Sequence, residues 1–324
     1  MASKTPASSP LLFTPLVFSA ASPAALRTTL ISHLDYLKSR SDVQLQDLAY
    51  TLQTRRSTFA YRKTIPAASI QDAIQALDLI ANSPDDLATR FSAPGSPAKL
   101  LGIFTGQGAQ WPRMGADLIE SSPYVATRIG DLDAALQSLP SSSERPTWTL
   151  RDQLLATAAT SRVAEAAVSQ PLCTAVQIVL VDILRAAGVR FDAVVGHSSG
   201  EIGAAYAAGF ISDRDAIRIA YLRGLHAKLA SSPSPGSPKG AMLAIGASPE
   251  DARAICDEPQ FQGRIQVAAV NSSSSITLSG DEDAVDGAEQ MLKNRGTFAR
   301  RLKVDTAYHS AHMRSCAGPY LASL

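Results

Sequence analysis

Apolar and polar positions alternate along this chain in two distinct rhythms, and the places where the rhythm changes divide it into parts. Near the start, LLFTPLVFSA is apolar and β-leaning and predicts a buried strand. SPAALRTTLISHLDYLKSR then brings Leu26, Leu30, Leu34 and Leu37 onto one face of a helix, and VQLQDLAYTLQTRR repeats that period. These elements predict a small α+β unit over 1–95. Asn82 to Lys99 gathers proline, glycine and serine and reads as a linker. A second domain is expected after it. Its first strand, KLLGIFTG, runs into Gly106-Gln107-Gly108, and a later one, FDAVVG, runs into Gly196-His197-Ser198-Ser199-Gly200. The mostly apolar helix expected over Gln170 to Ala187 separates them, which predicts parallel neighbours in a helix-covered sheet.

A second break in composition, Ser231 to Gly240, precedes a region with its own order. GAMLAIG, PEDARAICDE, IQVAAVNS, ITLSGD, EDAVDGAEQMLKNRG and TFARRLKV read as strand, helix, strand, strand, helix, strand, the arrangement of ferredoxin-like modules. The expected fold class is therefore α/β. A hydrolase-like parallel-sheet core over 96–239 and 305–324 carries an inserted ferredoxin-like subdomain over 240–304, with the α+β unit in front. The chain ends fifteen residues past His309.

Composition narrows the partners. With 45% hydrophobic and 18% charged residues the chain is no disordered segment. Its 30 basic against 29 acidic residues, in no like-charged block, lack the footprint of a nucleic-acid or anionic-membrane binder. A small molecule or another protein is the expected partner. Cys173, Cys256 and Cys316 are widely spaced, fit no metal-ligand pattern and argue for a reducing, cytoplasmic setting. Leu11 to Ala21 is faintly like a secretory signal, but Thr14 and Pro15 interrupt it and a buried strand explains it better. No stretch is expected to reach the apolar length that spans a bilayer.

Gly196-His197-Ser198-Ser199-Gly200 fits G-x-S-x-G, in which flanking glycines permit a sharp strand-to-helix turn that lifts the serine hydroxyl clear of the sheet. Spacing alone is a weak signal. A plausible strand before it and a helix after it, EIGAAYAA ended by Gly209, favour a nucleophile over an ordinary turn serine. Ser198 needs a base. Of the five histidines, His33 reads as a polar helix-surface residue and His197 as pointing away from Ser198. His226 reads as packing on the helix that Ser212 and Asp215 cap. His309 and His312 remain at a strand-to-loop junction, with His309 the first choice. The Gln107 N–H, at the end of the first core strand, is a candidate second oxyanion donor beside that of Ser199, a plain glycine-rich turn being the alternative. Arg223 falls close to the apolar side of its helix, near Ile217, Ala220 and Leu225, and there requires an anion, a surface arginine being the other reading.

Taken together, FTGQGAQW, SQPLCTAVQI, VGHSSGEIGAAYAAG, LRG, GAMLAIG, VNSSSSITLSGD and YHS resemble, in order and approximate spacing, the acyltransferase domain of polyketide and fatty acid synthases, related to malonyl-CoA:acyl carrier protein transacylase. The resemblance runs from Leu11 to Met313. DLAYTLQTRRSTFAYRK is similar to the linker joining ketosynthase to acyltransferase in type I synthases, and the whole is most similar to reducing, iterative fungal polyketide synthases. The resemblance implies Ser198 as the acylated nucleophile and His309 as its base. It implies Gln107 and Ser199 as backbone oxyanion donors, Arg223 as clamp for a malonyl carboxylate and Gln170 as pocket lining. Malonyl-CoA would be the substrate and an acyl carrier protein, through its phosphopantetheine thiol, the acceptor, within a synthase that also holds a ketosynthase. No metal or bound cofactor is expected. The histidine of the family is oriented by backbone carbonyls, so Asp305 need not join a triad.

Selectivity is carried part of the way. Thr306-Ala307-Tyr308-His309 stands where malonyl-selective domains usually have His-Ala-Phe-His and methylmalonyl-selective ones Tyr-Ala-Ser-His. The Tyr308 ring favours malonyl by crowding an α-methyl group; Thr306 matches neither pattern, and methylmalonyl stays open. Two rival functions are a serine hydrolase or thioesterase, which needs an acid between Ser198 and His309 in the chain, and a catalytically incomplete fragment of a synthase. The resemblance implies that the family domain continues beyond its histidine, which makes a core cut short an expectation. Asp281 and Asp283, the acids available, read as helix caps. Arg55, Arg56, Arg62 and Lys63 read as a solvated basic face, with docking of an acidic carrier domain as the alternative.

Overall fold

The computed structural model describes residues 15–82, 89–90, 99–231, 239–304 and 306–324. The chain forms two compact units, one of the residues up to Leu100 with Ile183–Arg190, the other of Leu101–Asp182 with Phe191–Leu324.

In the first unit, strand β1 (Leu16–Ala20) is followed by helices α1 (Pro23–Ser39) and α2 (Leu45–Thr54), strand β2 (Tyr61–Ile65), helix α3 (Ile70–Asn82) and the short strand β3 (Thr89–Arg90). The strands pair antiparallel in the order β1-β2-β3, with Leu16 opposite Ile65 and Ala20 opposite Tyr61. Ser22 starts α1 by accepting from the Ala25 N–H at 3.1 Å, and Pro23 takes a position where no N–H is needed. Leu26, Leu30, Leu34 and Leu37 are all buried, as their spacing predicts, and pack with Leu16, Phe18 and Leu77. Each such leucine stabilises the fold by about 1.5–3 kcal/mol on leaving water. β3 lies within the stretch read as linker; the remainder of that stretch, residues 83–88 and 91–98, and residues 11–14 of the signal-like segment lie outside the described residues. His33 differs from the surface reading. It is half-buried, edge-on to the Phe18 ring at 5.0 Å, with Nδ1 2.8 Å from the Thr29 carbonyl.

The second unit is α/β. Strands β4 (Leu101–Phe104) and β5 (Ala193–Gly196) pair in parallel with Leu101 opposite Ala193 and Phe104 opposite Gly196. Between them run α4 (Ala116–Ser121), α5 (Pro123–Gln137), α6 (Leu150–Leu155) and α7 (Ala166–Ala186); α8 (Gly200–Ala208), α9 (Asp213–His226) and α10 (Lys228–Ser231) follow β5. α7 begins four residues before the expected start and passes through Pro171. It also corrects the expectation about apolar length. Its 21 residues are long and apolar enough to cross a membrane by length and composition, but about two thirds of the stretch, 67%, is buried inside the protein, as suits a core helix apolar on most sides. α9 begins with the reciprocal cap expected of Ser212 and Asp215, at 3.1 and 3.4 Å.

Strands β6 (Gly240–Ile245), β7 (Ile265–Ser272), β8 (Ser275–Asp281) and β9 (Ala299–Arg301) form an antiparallel sheet in the order β7-β8-β6-β9, with α11 (Pro249–Cys256) and α12 (Glu282–Asn294) in the two crossovers. This is the expected strand-helix-strand-strand-helix-strand order. It closes a core of its own around Leu243, Ile276, Leu278, Val285, Ala288 and Leu292. The chain then returns past His309 and ends in α13 (Arg314–Ser323). His226 of α9 bonds Ser323 of α13 through Nε2 at 2.8 Å and leans on the Tyr320 ring, so its part is packing.

Candidate active site

The turn from β5 into α8 is as sharp as the glycines allow. A Cβ at Gly196 would fall on the Glu201 backbone, and one at Gly200 on the Phe104 carbonyl, so no other residue fits at either place. The His197 N–H continues the strand pairing to Phe104 O at 2.9 Å. The next residue, Ser198, has φ 54°, a left-handed backbone that a serine adopts only when its surroundings hold it there. Gly209 ends α8 in the left-handed cap, φ 79°.

The Ser198 hydroxyl lies 2.7 Å from His309 Nε2, across 111 residues of sequence. His309 is likewise left-handed, φ 60°. Desolvation of its ring, with the positive charge of Arg223 and with His197, lowers its pKa below the ordinary histidine value, against a smaller pull from Glu201. The lowered pKa favours the neutral imidazole, the form that can accept a proton from a serine hydroxyl.

The strand β7 reaches both sides of this pair. Gln266 Nε2 donates to the His309 carbonyl at 3.1 Å, and Asn271 Oδ1 lies 3.0 Å from His197 Nε2 while its Nδ2 donates to Thr277 Oγ1 at 3.2 Å. Neither amide was singled out from the sequence, because nothing local in a strand marks which distant segment its polar side chains will meet. Asp281 and Asp283 are not side-chain caps of α12. Asp281 bonds His312 Nε2 at 2.9 Å and Arg264 Nε at 3.2 Å, and Asp283 bonds Arg264 Nη2 at 2.5 Å. A two-ended ion pair outweighs a single backbone bond. The acid between serine and base in chain order thus meets His312 and not His309. Asp305 lies outside the described residues.

Arg223 meets no carboxylate among the described residues. Its Nη1 donates to Gln170 Oε1 at 2.7 Å, and its guanidinium lies 5.9 Å from the centre of the Tyr308 ring. A neutral amide and an aromatic face are its partners within the protein. Gln170, 1% exposed, passes the connection on, its Nε2 donating to Gln107 Oε1 at 3.3 Å. The backbone N–H of Gln107 is also engaged, donating to Ser199 Oγ at 3.1 Å. Thr306 and Tyr308 are buried, and with Gln107, Ala166, Lys228 and Lys303 they line a cleft of about 560 Å³. The structure therefore brings Ser198, Ser199, Gln107, Gln170, Arg223, Tyr308 and His309 into one linked group. Among the described residues no cluster of His, Cys, Asp or Glu is arranged to hold a metal ion.

One further group holds the helices that carry these residues. Arg128 of α5 bonds Asp182 of α7 at 3.0 Å and Asp213, at the start of α9, at 2.7 Å, while the Tyr206 hydroxyl of α8 donates to Asp182 at 2.5 Å. Burial pulls the Arg128 pKa down, but Asp213 and Asp182 more than offset it and hold it above the ordinary arginine value.

Residues 102–324 match the family described as acyl transferase domain, and residues 14–77 the family described as CurL-like, PKS C-terminal. The chain belongs to the acyl transferase domain family. Among relatives of this acyltransferase domain, the hybrid PKS-NRPS synthetase prlS of Fungal sp. (strain NRRL 50135) is 61% identical over 324 residues, a match that takes in 99% of this chain and 8% of the synthetase. The chain thus spans less than a tenth of the length of the curated relatives it matches. Of solved structures, the acyltransferase domain from module 8 of the salinomycin polyketide synthase is 30% identical with a TM-score of 0.77, over 97% of this chain and 71% of that one. The malonyl CoA-acyl carrier protein transacylase of Coxiella burnetii is 26% identical with a TM-score of 0.61, over 70% of this chain and 68% of that one.

Proposed function

We propose that this acyltransferase domain moves a malonyl unit from CoA to the phosphopantetheine thiol of an acyl carrier protein through an ester on Ser198. The observation that carries the reading is the 2.7 Å bond between the Ser198 hydroxyl and His309 Nε2, with Arg223 in the same linked group. Ser198 Oγ attacks the thioester carbonyl carbon while its proton passes to His309 Nε2. The C–S bond breaks and CoA leaves as the thiol with that proton. The carrier thiol then attacks the Ser198 ester, its proton passing through His309 back to Ser198 Oγ as the ester opens. The N–H groups of Gln107 and Ser199 receive the negative charge on the carbonyl oxygen in both steps.

Arg223 is the proposed clamp for the malonyl carboxylate, since its protein partners are an amide oxygen and a ring and its charge is left for a substrate. Gln170 fixes that guanidinium. Tyr308 and Thr306 shape the pocket, Tyr308 favouring malonyl over methylmalonyl; one methyl group is discriminated by only about 1–3 kcal/mol. No bound cofactor enters these steps; phosphopantetheine arrives on the carrier. We divide the chain as linker, 1–95, core, 96–239 with 305–324, and inserted subdomain, 240–304. The setting is a multidomain polyketide synthase with its ketosynthase, in the cytoplasm, which suits three buried cysteines carried as free thiols.

Intact-mass analysis after brief exposure to malonyl-CoA tests the reading. We expect a malonyl adduct on Ser198 that a carrier protein discharges, and a loss of at least about 10³-fold in acylation for Ser198→Ala. Rapid hydrolysis with no transfer to the carrier would support a hydrolase instead.

A further inference from the structure

In an acyltransferase of the kind proposed above, the Gln107 N–H must meet the thioester oxygen. Here it already has an acceptor, Ser199 Oγ at 3.1 Å. Ser199 is 4% exposed, and its hydroxyl accepts no bond from the first turn of α8, the ordinary use of a serine at the start of a helix. The hydroxyl proton has no acceptor among the described residues, so the side chain is tied by this one bond. We infer that the Ser199 hydroxyl is a resting occupant of the oxyanion site, which keeps the Gln107 N–H satisfied until the thioester oxygen displaces it.

Three physical points carry this. The half-buried Gln107 N–H is paired inside the protein by the buried Ser199 hydroxyl, and a paired donor is more stable than an unpaired one. A hydroxyl supplies that acceptor from the chain itself, on the residue whose own N–H is the other proposed oxyanion donor. A serine side chain tied by one neutral bond swings away at the cost of that bond alone, whereas a charged occupant would not yield. The two oxyanion donors are thereby linked through a single residue. Ser199 offers its N–H to the substrate oxygen and withholds that of Gln107 until the oxygen arrives. Oxyanion formation then competes with the resting bond, and acylation is slower than the donors alone would permit.

The test uses the full chain and rapid-quench mass spectrometry of Ser198 acylation by malonyl-CoA. Ser199→Ala and Ser199→Gly, which both lack the hydroxyl, are expected to acylate about 2- to 10-fold faster than the native chain, the factor that one neutral hydrogen bond represents. Ser199→Thr, which retains the hydroxyl, should not show that acceleration. Slower acylation in both hydroxyl-free variants would overturn the inference by making the hydroxyl a donor to the substrate, and an unchanged rate would overturn it too. Labelling of Ser198 by a fluorophosphonate, whose phosphonyl oxygen seeks the same donors, should show the same order of rates. Because that probe needs no malonyl-CoA, failure of the inference is distinguishable from failure of the acyl-transfer reading.

Discussion

The core of the second unit and the β6–β9 module solve the problem of burial in different ways. Strand β6 of the module is buried along nearly its whole length, and the module closes a core between its sheet and α11 and α12. The core sheet has two strands among the described residues, and one side of β4 shows Leu101 and Ile103 at 57% and 72% exposure. Yet the proposed reactive groups, Ser198, Arg223 and the Gln107 loop, sit on core elements, and the self-contained module contributes amides and Asp281. The contrast teaches a division of labour. A regular, well-packed body acts as the rigid reference against which strained residues of a less regular body are held.

Variants can break or sharpen that comparison. The largest effect is expected on the core side. Arg223→Ala should cost about 10- to 100-fold in acylation by malonyl-CoA, the range for a bond to a charged group, and little with acetyl-CoA. Equal losses for the two substrates, measured as kcat/KM, would remove the clamp. A pH profile should come next in size. The base works as neutral imidazole, and its pKa is lowered by desolvation, Arg223 and His197, so the rate should fall about tenfold per pH unit only below the ordinary histidine range. An acid limb above that range would mean the ring is not held neutral. The smallest effect tests the module. Gln266→Leu removes the bond to the His309 carbonyl and should lower kcat about two- to fivefold with KM unchanged, while Gln266→Asn, a shorter amide, should fall between the two. A change in KM alone would mean that Gln266 touches substrate binding and does not position the base.

Much of this arrangement is legible in the residues. The α1 leucines, the turn glycines, the Ser212–Asp215 cap and the order of elements in 240–304 all follow from short-range periodicity or fixed turn chemistry, which act within a few residues. β2 is not legible in this way. YRKTI is polar at three of five positions, and only Ile65 of the strand is fully buried. What local pattern does not carry has one cause. Asp281 is placed by the local pattern at a helix start and instead binds His312 and Arg264, and the Gln170 and Tyr308 partners of Arg223 are invisible to that pattern. In each case the partner lies far along the chain, where local pattern carries no information. Gln266 and Asn271 passed unnoticed for the same reason.

The bond between Ser198 and His309 closes a loop of 111 residues that contains the whole β6–β9 module. In the unfolded chain such a closure is entropically costly, whereas the module is assembled from contacts much nearer in sequence. That difference predicts an order of folding. The module can form first and shorten the effective distance between the loop ends, and the two left-handed residues meet last, when the module seats Gln266 and Asn271. Reactivity at Ser198 is therefore a chronometer of folding. In a refolding time course, far-ultraviolet ellipticity should recover before fluorophosphonate labelling of Ser198 does, because the nucleophile gains its base only at the final closure.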